Sequence, residues 1–366
     1  MTDSFGAPGG IAAFNRRVLR GLDNHPAINA VTVLSYRYED GDEDASSGFA
    51  KTEWRSVPRR DKVSFVQSAA RAVATSGFDA LICGHINFSV LSASLSTLSK
   101  ARLWTITHGI EAWSKPSMWT AVAFDRSRIV TSVSRYTQRR IQSWSSLRND
   151  AFVLLPNTVD TERFTPGAPD SNTRDRLGIA ATSNVLLTVG RLNSSERYKG
   201  HDLVLRALPF VLDANPDTVY LVVGQGDDQM RLRALAARLG VTENTRFVDD
   251  ITALELPSVY RAADLFVMPS KGEGFGIVYL EAAASGLPFV ASEWDAGAEV
   301  AHALDQLTIG VNEPSVAAAK ILEAQARSTN RQRLAESVDR CFGRVAFEAQ
   351  LELVLTRLIS QPSELS

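Results

Sequence analysis

The chain has 366 residues, about twice the usual domain length, so two domains are expected rather than one. A composition of 45% hydrophobic and 22% charged residues excludes a mainly disordered chain, and no apolar run reaches the 18 residues that suggest a membrane-spanning helix. A formal net charge of −2, without basic runs interleaved with aromatics, argues against a nucleic-acid partner.

In chain order, residues 6–11 (Gly6, Ala7, Pro8, Gly9, Gly10, Ile11) form a glycine-rich opening. They lead into a helix in which Ile11, Phe14, Val18, Leu19 and Leu22 recur at helical spacing. Short β-rich runs at 30–36, 79–84, 103–109, 128–134 and 152–157 predict strands, with a helix over Lys62–Thr75 and an Arg-rich helical pattern over 134–148. Residues 156–172 gather Pro156, Pro166, Gly167 and Pro169 without periodicity and read as a hinge. A second series follows, with strands at 185–190, 219–226, 245–250, 264–270 and 288–292 and helices over 201–212, 229–239 and 277–285. The tail after Thr329 reads as helical, ending in an amphipathic segment over 342–359.

Strands that are apolar on both faces and alternate with helices indicate a parallel sheet between two helical layers. The pattern occurs twice, giving an α/β, doubly wound architecture in two domains. The expected boundaries are 1–156, a linker 157–172, 173–340, and a final helix 341–366 that packs back on the first domain. Residues 1–160 carry 19 Lys and Arg against 14 Asp and Glu, and the remainder 20 against 27, so the two halves should meet different partners. Cys83 and Cys341 lie in apolar surroundings and read as two buried free thiols of a reducing compartment. The segment MTDSFGAPGG has neither the basic nor the apolar region of a signal peptide, so the expected location is cytoplasmic. No Cys/His cluster has metal-ligand spacing, and no metal or other cofactor is expected.

In open parallel sheets ligands bind beyond the carboxyl ends of the strands, which singles out the residues just after each strand. The strongest signal is Lys271-Gly272-Glu273-Gly274-Phe275-Gly276, between a strand and a helix that carries Glu281. Its glycines allow backbone N–H groups to approach an anion at a helix start, and two carboxylates accept hydrogen bonds from hydroxyls, as sugars supply. The second signal is Gly190-Arg191-Leu192, followed by an insertion over 193–197 and by Tyr198-Lys199-Gly200. An arginine fork and a lysine point charge together suit a diphosphate.

These segments resemble the retaining glycosyltransferases of family 4, which have the GT-B fold of two facing Rossmann-like domains with a cleft between them. The resemblance rests on Glu273…Glu281 as a Glu-x7-Glu motif, on the Gly-Arg-Leu…Lys-Gly segment, on the PNTVDTERFTP linker and on AADLFVMPSKGEGFG. It implies that Arg191 and Lys199 hold the donor diphosphate, that Glu273 with the backbone of Gly274, Phe275 and Gly276 binds the donor sugar, and that Glu281 binds the ribose. The base would lie against 247–249, at the backbone of Val248. A family histidine that contacts the sugar corresponds to His108, at the end of the strand 103–109. His85, beside Asn87, has a similar strand-end address, and His25 reads as structural. Gly9 and Gly10 belong to the loop that the family places near the donor phosphates and the acceptor.

The family carries an apolar strand before this loop. Here only Met1 and Thr2 precede Asp3, so the natural protein is expected to begin upstream by about five to ten residues, a strand's length. The Arg-rich face with Arg135, Arg139, Arg140 and Arg148 suits anionic lipid, and makes peripheral contact with the inner face of the membrane an expectation. The resulting reading is a metal-independent, retaining hexosyltransferase. It would move a hexose from a nucleoside-diphosphate sugar to a glycan or glycolipid acceptor, in surface polysaccharide assembly. A nucleotide-sugar epimerase on the same fold and a non-catalytic nucleotide-sugar-binding protein stay open as alternatives. A nicotinamide dehydrogenase is disfavoured, since no G-x-G-x-x-G follows the first strand.

Overall fold

A computed structural model describes residues 10–36, 48–56, 61–168 and 171–359. Gly9, the rest of the opening before Gly10 and the question of a preceding strand lie outside the described residues. The chain forms two units, one comprising the residues up to Asn157 together with those from Phe347 onward, the other Thr158–Ala346.

The first unit contains β1 (Val31–Ser35), β2 (Thr52–Ser56), β3 (Ala80–Cys83), β4 (Arg102–Thr107), β5 (Ile129–Ser132) and β6 (Phe152–Leu154). All pair in parallel, β3-β4-β5-β6 as one sheet and β1-β2 as a separate pair. Leu103, Trp104, Ile106, Ile129 and Val130 are buried, and the Trp104 indole N–H donates to the Thr131 hydroxyl at 2.9 Å, satisfying the one polar atom in that stack. The helix Lys62–Thr75 starts where Asp61 accepts from the N–H groups of Val63 and Ser64. The Arg-rich segment is helical only over Arg135–Gln142. Beyond it Trp144 turns inward, donating to the Ala112 carbonyl and packing on Phe124, so the pattern to residue 148 is not one continuous helix.

The second unit contains β7 (Asn184–Val189), β8 (Thr218–Val223), β9 (Thr245–Val248), β10 (Leu265–Val267), β11 (Phe289–Ser292) and β12 (Leu307–Ile309). They form one parallel sheet of order β12-β11-β10-β7-β8-β9. Leu186, Tyr220, Val222, Leu265 and Val267 are buried in a core shared with the helices His201–Ala214, Gln229–Arg238 and Pro314–Ala326. The chain leaves β7 toward β8 and β9, then returns to β10 on the other side. The β7/β10 boundary is therefore the topological switch point, where a crevice opens beyond the strand ends.

The tail is helical after Thr329 as expected, and its last helix falls within the expected final segment 342–359. The tail forms two helices, Arg331–Phe342 and Arg344–Ile359, on either side of Gly343. Cys83 is a buried free thiol, but Cys341 is exposed: it shares the helical face of Leu334 and Val338, yet it lies in the last turn of the helix, past Val338, the last buried position of that face.

One close approach fixes the floor of the switch point. Gly224 follows β8 at φ +150°, donates its N–H to the Val248 carbonyl, and would place a Cβ 1.9 Å from the Gly190 carbonyl oxygen. Gly224→Ala should therefore destabilise the second unit by about 3 kcal/mol or more, because backbone rather than a flexible side chain must move. Urea unfolding of the variant against the parent chain measures this, and an unchanged midpoint would contradict it.

Candidate functional site

At the carboxyl end of β7, Gly190 and Arg191 leave the sheet and a short 3-10 stretch, Ser194–Lys199, follows. The turn closes at Gly200, whose φ is +85° and whose Cβ, if present, would lie 2.5 Å from the Pro269 carbonyl. Only glycine allows the helix His201–Ala214 to start this close to the end of β10. That proximity brings Lys199 to the glycine-rich loop.

The loop after β10 is fixed by three contacts. Lys271 N–H donates to the Tyr198 carbonyl at 2.8 Å. Glu273 N–H donates to the Asp295 carboxylate at 2.8 Å, and the Glu273 carbonyl accepts from Ala296 N–H at 3.2 Å. Asp295 is buried and also accepts from the Ser270 hydroxyl at 2.6 Å and from Gly297 N–H at 2.9 Å. Burial pushes its carboxyl up to about 6 against these stabilising bonds.

The side chains then meet in a chain of charges. The Lys199 ammonium donates to Glu273 Oε1 at 2.9 Å and lies 3.7 Å from Glu196 Oε2. Glu196 Oε1 is 2.5 Å from the Arg191 guanidinium. Burial alone would push Lys199 down, but Glu273, first by charge and then by its hydrogen bond, holds it above its ordinary value. Lys199 thus remains a cation.

Glu281 lies in the helix Ile277–Ala284 and accepts from the Tyr260 hydroxyl at 2.8 Å. Burial, reinforced by Glu281, holds the Tyr260 phenol well above its ordinary value, so it stays a donor. Phe275 turns its ring inward against Phe342, between half-buried Gly274 and buried Gly276. Val248 ends β9 with its carbonyl accepting from Gly224 at 2.9 Å.

In the first unit, His108 and His85 come together, with ring centroids 6.4 Å apart. His108 Nε2 lies 2.9 Å from the Gly84 carbonyl, which fixes the tautomer with a proton on that nitrogen. Burial pushes its pKa down while the Glu111 charge opposes, so the ring is neutral. Glu111 accepts from the N–H groups of His108 and Gly109, holding the turn. His85 Nδ1 accepts from Asn87 N–H at 3.2 Å. Gly10 opens the helix Gly10–Asn24 and is exposed. His25 bonds Glu352 of the last helix, a structural role.

Arg191, Lys199 and Glu273 are therefore brought into one network, with Glu281 on the helix that the same loop opens. Sequence reasoning missed Glu196, Asp295 and Tyr260. Glu196 lay within the insertion over 193–197, and Asp295 stands before Gly297 with no local motif to mark it. Among the described residues, no group of three or more His, Cys, Asp and Glu side chains is placed to hold a metal ion.

Comparison with known proteins bears on this site. The profile described as "Glycosyltransferase Family 4" matches residues 8–163, and that described as "Glycosyl transferases group 1" matches residues 170–339. A GDP-mannose-dependent alpha-(1-6)-phosphatidylinositol monomannoside mannosyltransferase of Mycolicibacterium smegmatis is 39% identical over 203 residues, 52% of each chain. A D-inositol 3-phosphate glycosyltransferase of Corynebacterium jeikeium is 40% identical over 151 residues, 39% of this chain and 35% of the other. The chain spans about half the length or less of the curated relatives it matches. In fold, it is similar to Anabaena HepE in complex with UDP and glucose, with a TM-score of 0.78 at 19% identity over 97% of this chain and 98% of that one. WaaG, a glycosyltransferase involved in lipopolysaccharide biosynthesis, aligns with a TM-score of 0.66 at 18% identity over 99% and 100%. The fold is GT-B, with two Rossmann-like domains.

The buried acid and the buried base of the second unit give opposite pH dependences. Asp295, raised from 3.8 to about 6, binds a proton more tightly folded than unfolded, so its contribution falls as pH rises from about 4 to 6. His201, pushed from 6.5 to about 4 by burial and Lys199, loses stability as pH falls through that window. In Asp295→Asn the first effect disappears. Relative to the parent chain, the variant should gain stability with rising pH across that interval, by at most about 1.4 kcal/mol per pH unit. Thermal unfolding at a series of pH values tests this, and parallel curves would refute the buried ionisation of Asp295.

Proposed function

The chain belongs to glycosyltransferase family 4, and we propose that it is a retaining, metal-independent hexosyltransferase that uses a nucleoside-diphosphate sugar. The observation that carries the reading is the Arg191–Glu196–Lys199–Glu273 network at the β7/β10 switch point. When a nucleoside diphosphate departs, negative charge grows on its oxygens, and Arg191 and Lys199 are preorganised cations for it. Glu273, seated in the loop of Gly274, Phe275 and Gly276, accepts from hexose hydroxyls. Glu281, fixed by Tyr260, accepts from the ribose, and the base lies at Val248. The leaving phosphate takes the acceptor's proton on the same face, as the resemblance implies. In the first unit, neutral His108 has Nε2–H committed to Gly84 and retains Nδ1 as an acceptor for a sugar hydroxyl, with His85 and Gly10 in the same unit.

The relatives' names favour a lipid-linked or inositol-phosphate acceptor over a surface polysaccharide, and GDP-mannose as the first donor to try, beside UDP-hexoses. A lipid-linked acceptor also fits the exposed Met118 and Trp119, each more than 60% exposed. On the Arg-rich segment, Arg148 pairs with Asp150 and Arg140 lies over Trp113 at 5.8 Å. Binding to anionic vesicles should fade as salt rises, since charges screen within about 8 Å at physiological ionic strength. Co-sedimentation that is absent, or indifferent to salt, would remove the membrane contact.

A thermal-shift panel of GDP-, UDP- and ADP-sugars, followed by assay of nucleoside-diphosphate release, tests the activity. One donor should raise the melting temperature and be turned over. Lys199→Ala should lower that turnover ~10²-fold or more, the scale for losing one charge-stabilising donor. Glu281→Ala should lose the shift given by the free nucleoside diphosphate. Binding without turnover would instead leave a nucleotide-sugar-binding protein.

A further inference from the structure

The insertion over 193–197 is not a loose loop. Ser194 donates through its N–H and its hydroxyl to Asp227, both at 2.7 Å. Arg197 donates to Asp228 at 3.0 Å, and Asp228 is itself held by Arg231, which forks onto Asp202 at 2.5 and 2.7 Å. Leu192 N–H donates to the Gln225 carbonyl at 2.8 Å, and Asp228 N–H returns to the Leu192 carbonyl at 2.8 Å. The segment is thus fastened at both ends to the turn after β8. Its backbone leaves helical geometry at one residue, Glu196, with φ −115° and ψ 26°.

That residue turns its carboxylate between the two cations. Its side chain is 12% exposed, with Oε1 on Arg191 and Oε2 facing Lys199 at 3.7 Å. Oε2 is buried without a hydrogen-bond partner. A buried carboxylate oxygen left unbonded opposes folding, so stability alone does not account for its position. Arg191, by contrast, has a side chain 73% exposed and no other ion pair among the described residues, so Glu196 is what restrains it.

We propose that Glu196 is a positioning residue. It holds the Arg191 and Lys199 cations at a fixed separation, against their mutual repulsion, so that both meet the same diphosphate. This rests on the reading of Arg191 and Lys199 as the diphosphate pair. A carboxylate in this place also repels an incoming phosphate. Its removal should therefore divide binding from chemistry: the diphosphate loses a competitor for its cations, while the transition state loses their alignment.

The test is Glu196→Gln, which keeps the shape and an acceptor for Arg191 but removes the charge. Turnover of the donor selected by the panel should fall ~10-fold or more, the scale on which small misplacements at a site act. Calorimetric binding of GDP and UDP should stay the same or tighten. Turnover within twofold of the parent would overturn the role. So would a parallel loss of turnover and nucleoside-diphosphate affinity with a lowered melting temperature, since that marks a merely structural residue. Glu196→Ala, run beside it, should show the same split more strongly, and equal affinity losses in both variants would again count against it. Lys199→Ala separates the two levels of the argument. If it keeps full turnover and affinity, the diphosphate reading itself fails. If it loses both while Glu196→Gln turns over normally, only the role of Glu196 fails.

Discussion

A buried ammonium has to have a carboxylate beside it, and the second unit is arranged around that requirement. Lys199 and Glu273 are 12% and 17% exposed, in a place where desolvation penalises each charge alone. Their pairing at 2.9 Å offsets the penalty only if two loops from different strands arrive together. Gly200 permits the approach on one side, since any Cβ there would strike the Pro269 carbonyl. Asp295 secures it on the other side, by binding the Ser270 hydroxyl and the Glu273 N–H at once. The strand order that places β7 beside β10 brings the two loops to one edge. Removing any of these leaves a buried charge without its partner, which is worse for the fold than lacking both.

Much of the architecture was legible because central parallel strands are buried on both faces. Runs such as 185–190 and 219–226 are mostly apolar and end in glycine, and they became β7 and β8. The two strands that escaped notice, β2 and β12, are both at sheet edges. Thr52–Ser56 carries Glu53 and Arg55, which form an ion pair at 3.0 Å, and Leu307–Ile309 is three residues long. An edge strand needs neither continuous hydrophobicity nor length, so its sequence resembles a loop. The Arg-rich pattern over 134–148 failed for a different reason. Trp144 satisfies its indole N–H on Ala112, 32 residues earlier, and tertiary packing overrode the helical periodicity.

The site was legible where local sequence fixes position. Arg191 follows a strand, Lys199 precedes a helix, and Glu273 lies in a glycine-rich turn between strand and helix; those addresses alone placed them at the strand ends. The residues that hold them were not legible. Asp295 acts on Glu273 from 22 positions away, and Tyr260 acts on Glu281 from 21. Neither pair has a spacing that any secondary structure imposes. Glu196 is nearer, but its direction depends on a single non-helical residue within a 3-10 stretch, which composition does not reveal.

The four charged side chains at the switch point are two cations and two anions, and their balance shapes what they can hold. A simple polyanion gains from Arg191 and Lys199 but meets Glu196 and Glu273 at nearly the same distance, so its net attraction is small. A sugar diphosphate presents the complementary pattern, phosphate oxygens for the cations and, a few ångströms on, hydroxyl donors for a carboxylate. Each carboxylate that repels a bare phosphate becomes an acceptor once a hydroxyl faces it. The arrangement therefore discriminates through unfavourable contacts as much as favourable ones. The two carboxylates that space these charges are themselves aimed from the main chain, Glu196 by the backbone of Ser194–Lys199 and Glu273 by the bond from its N–H to Asp295.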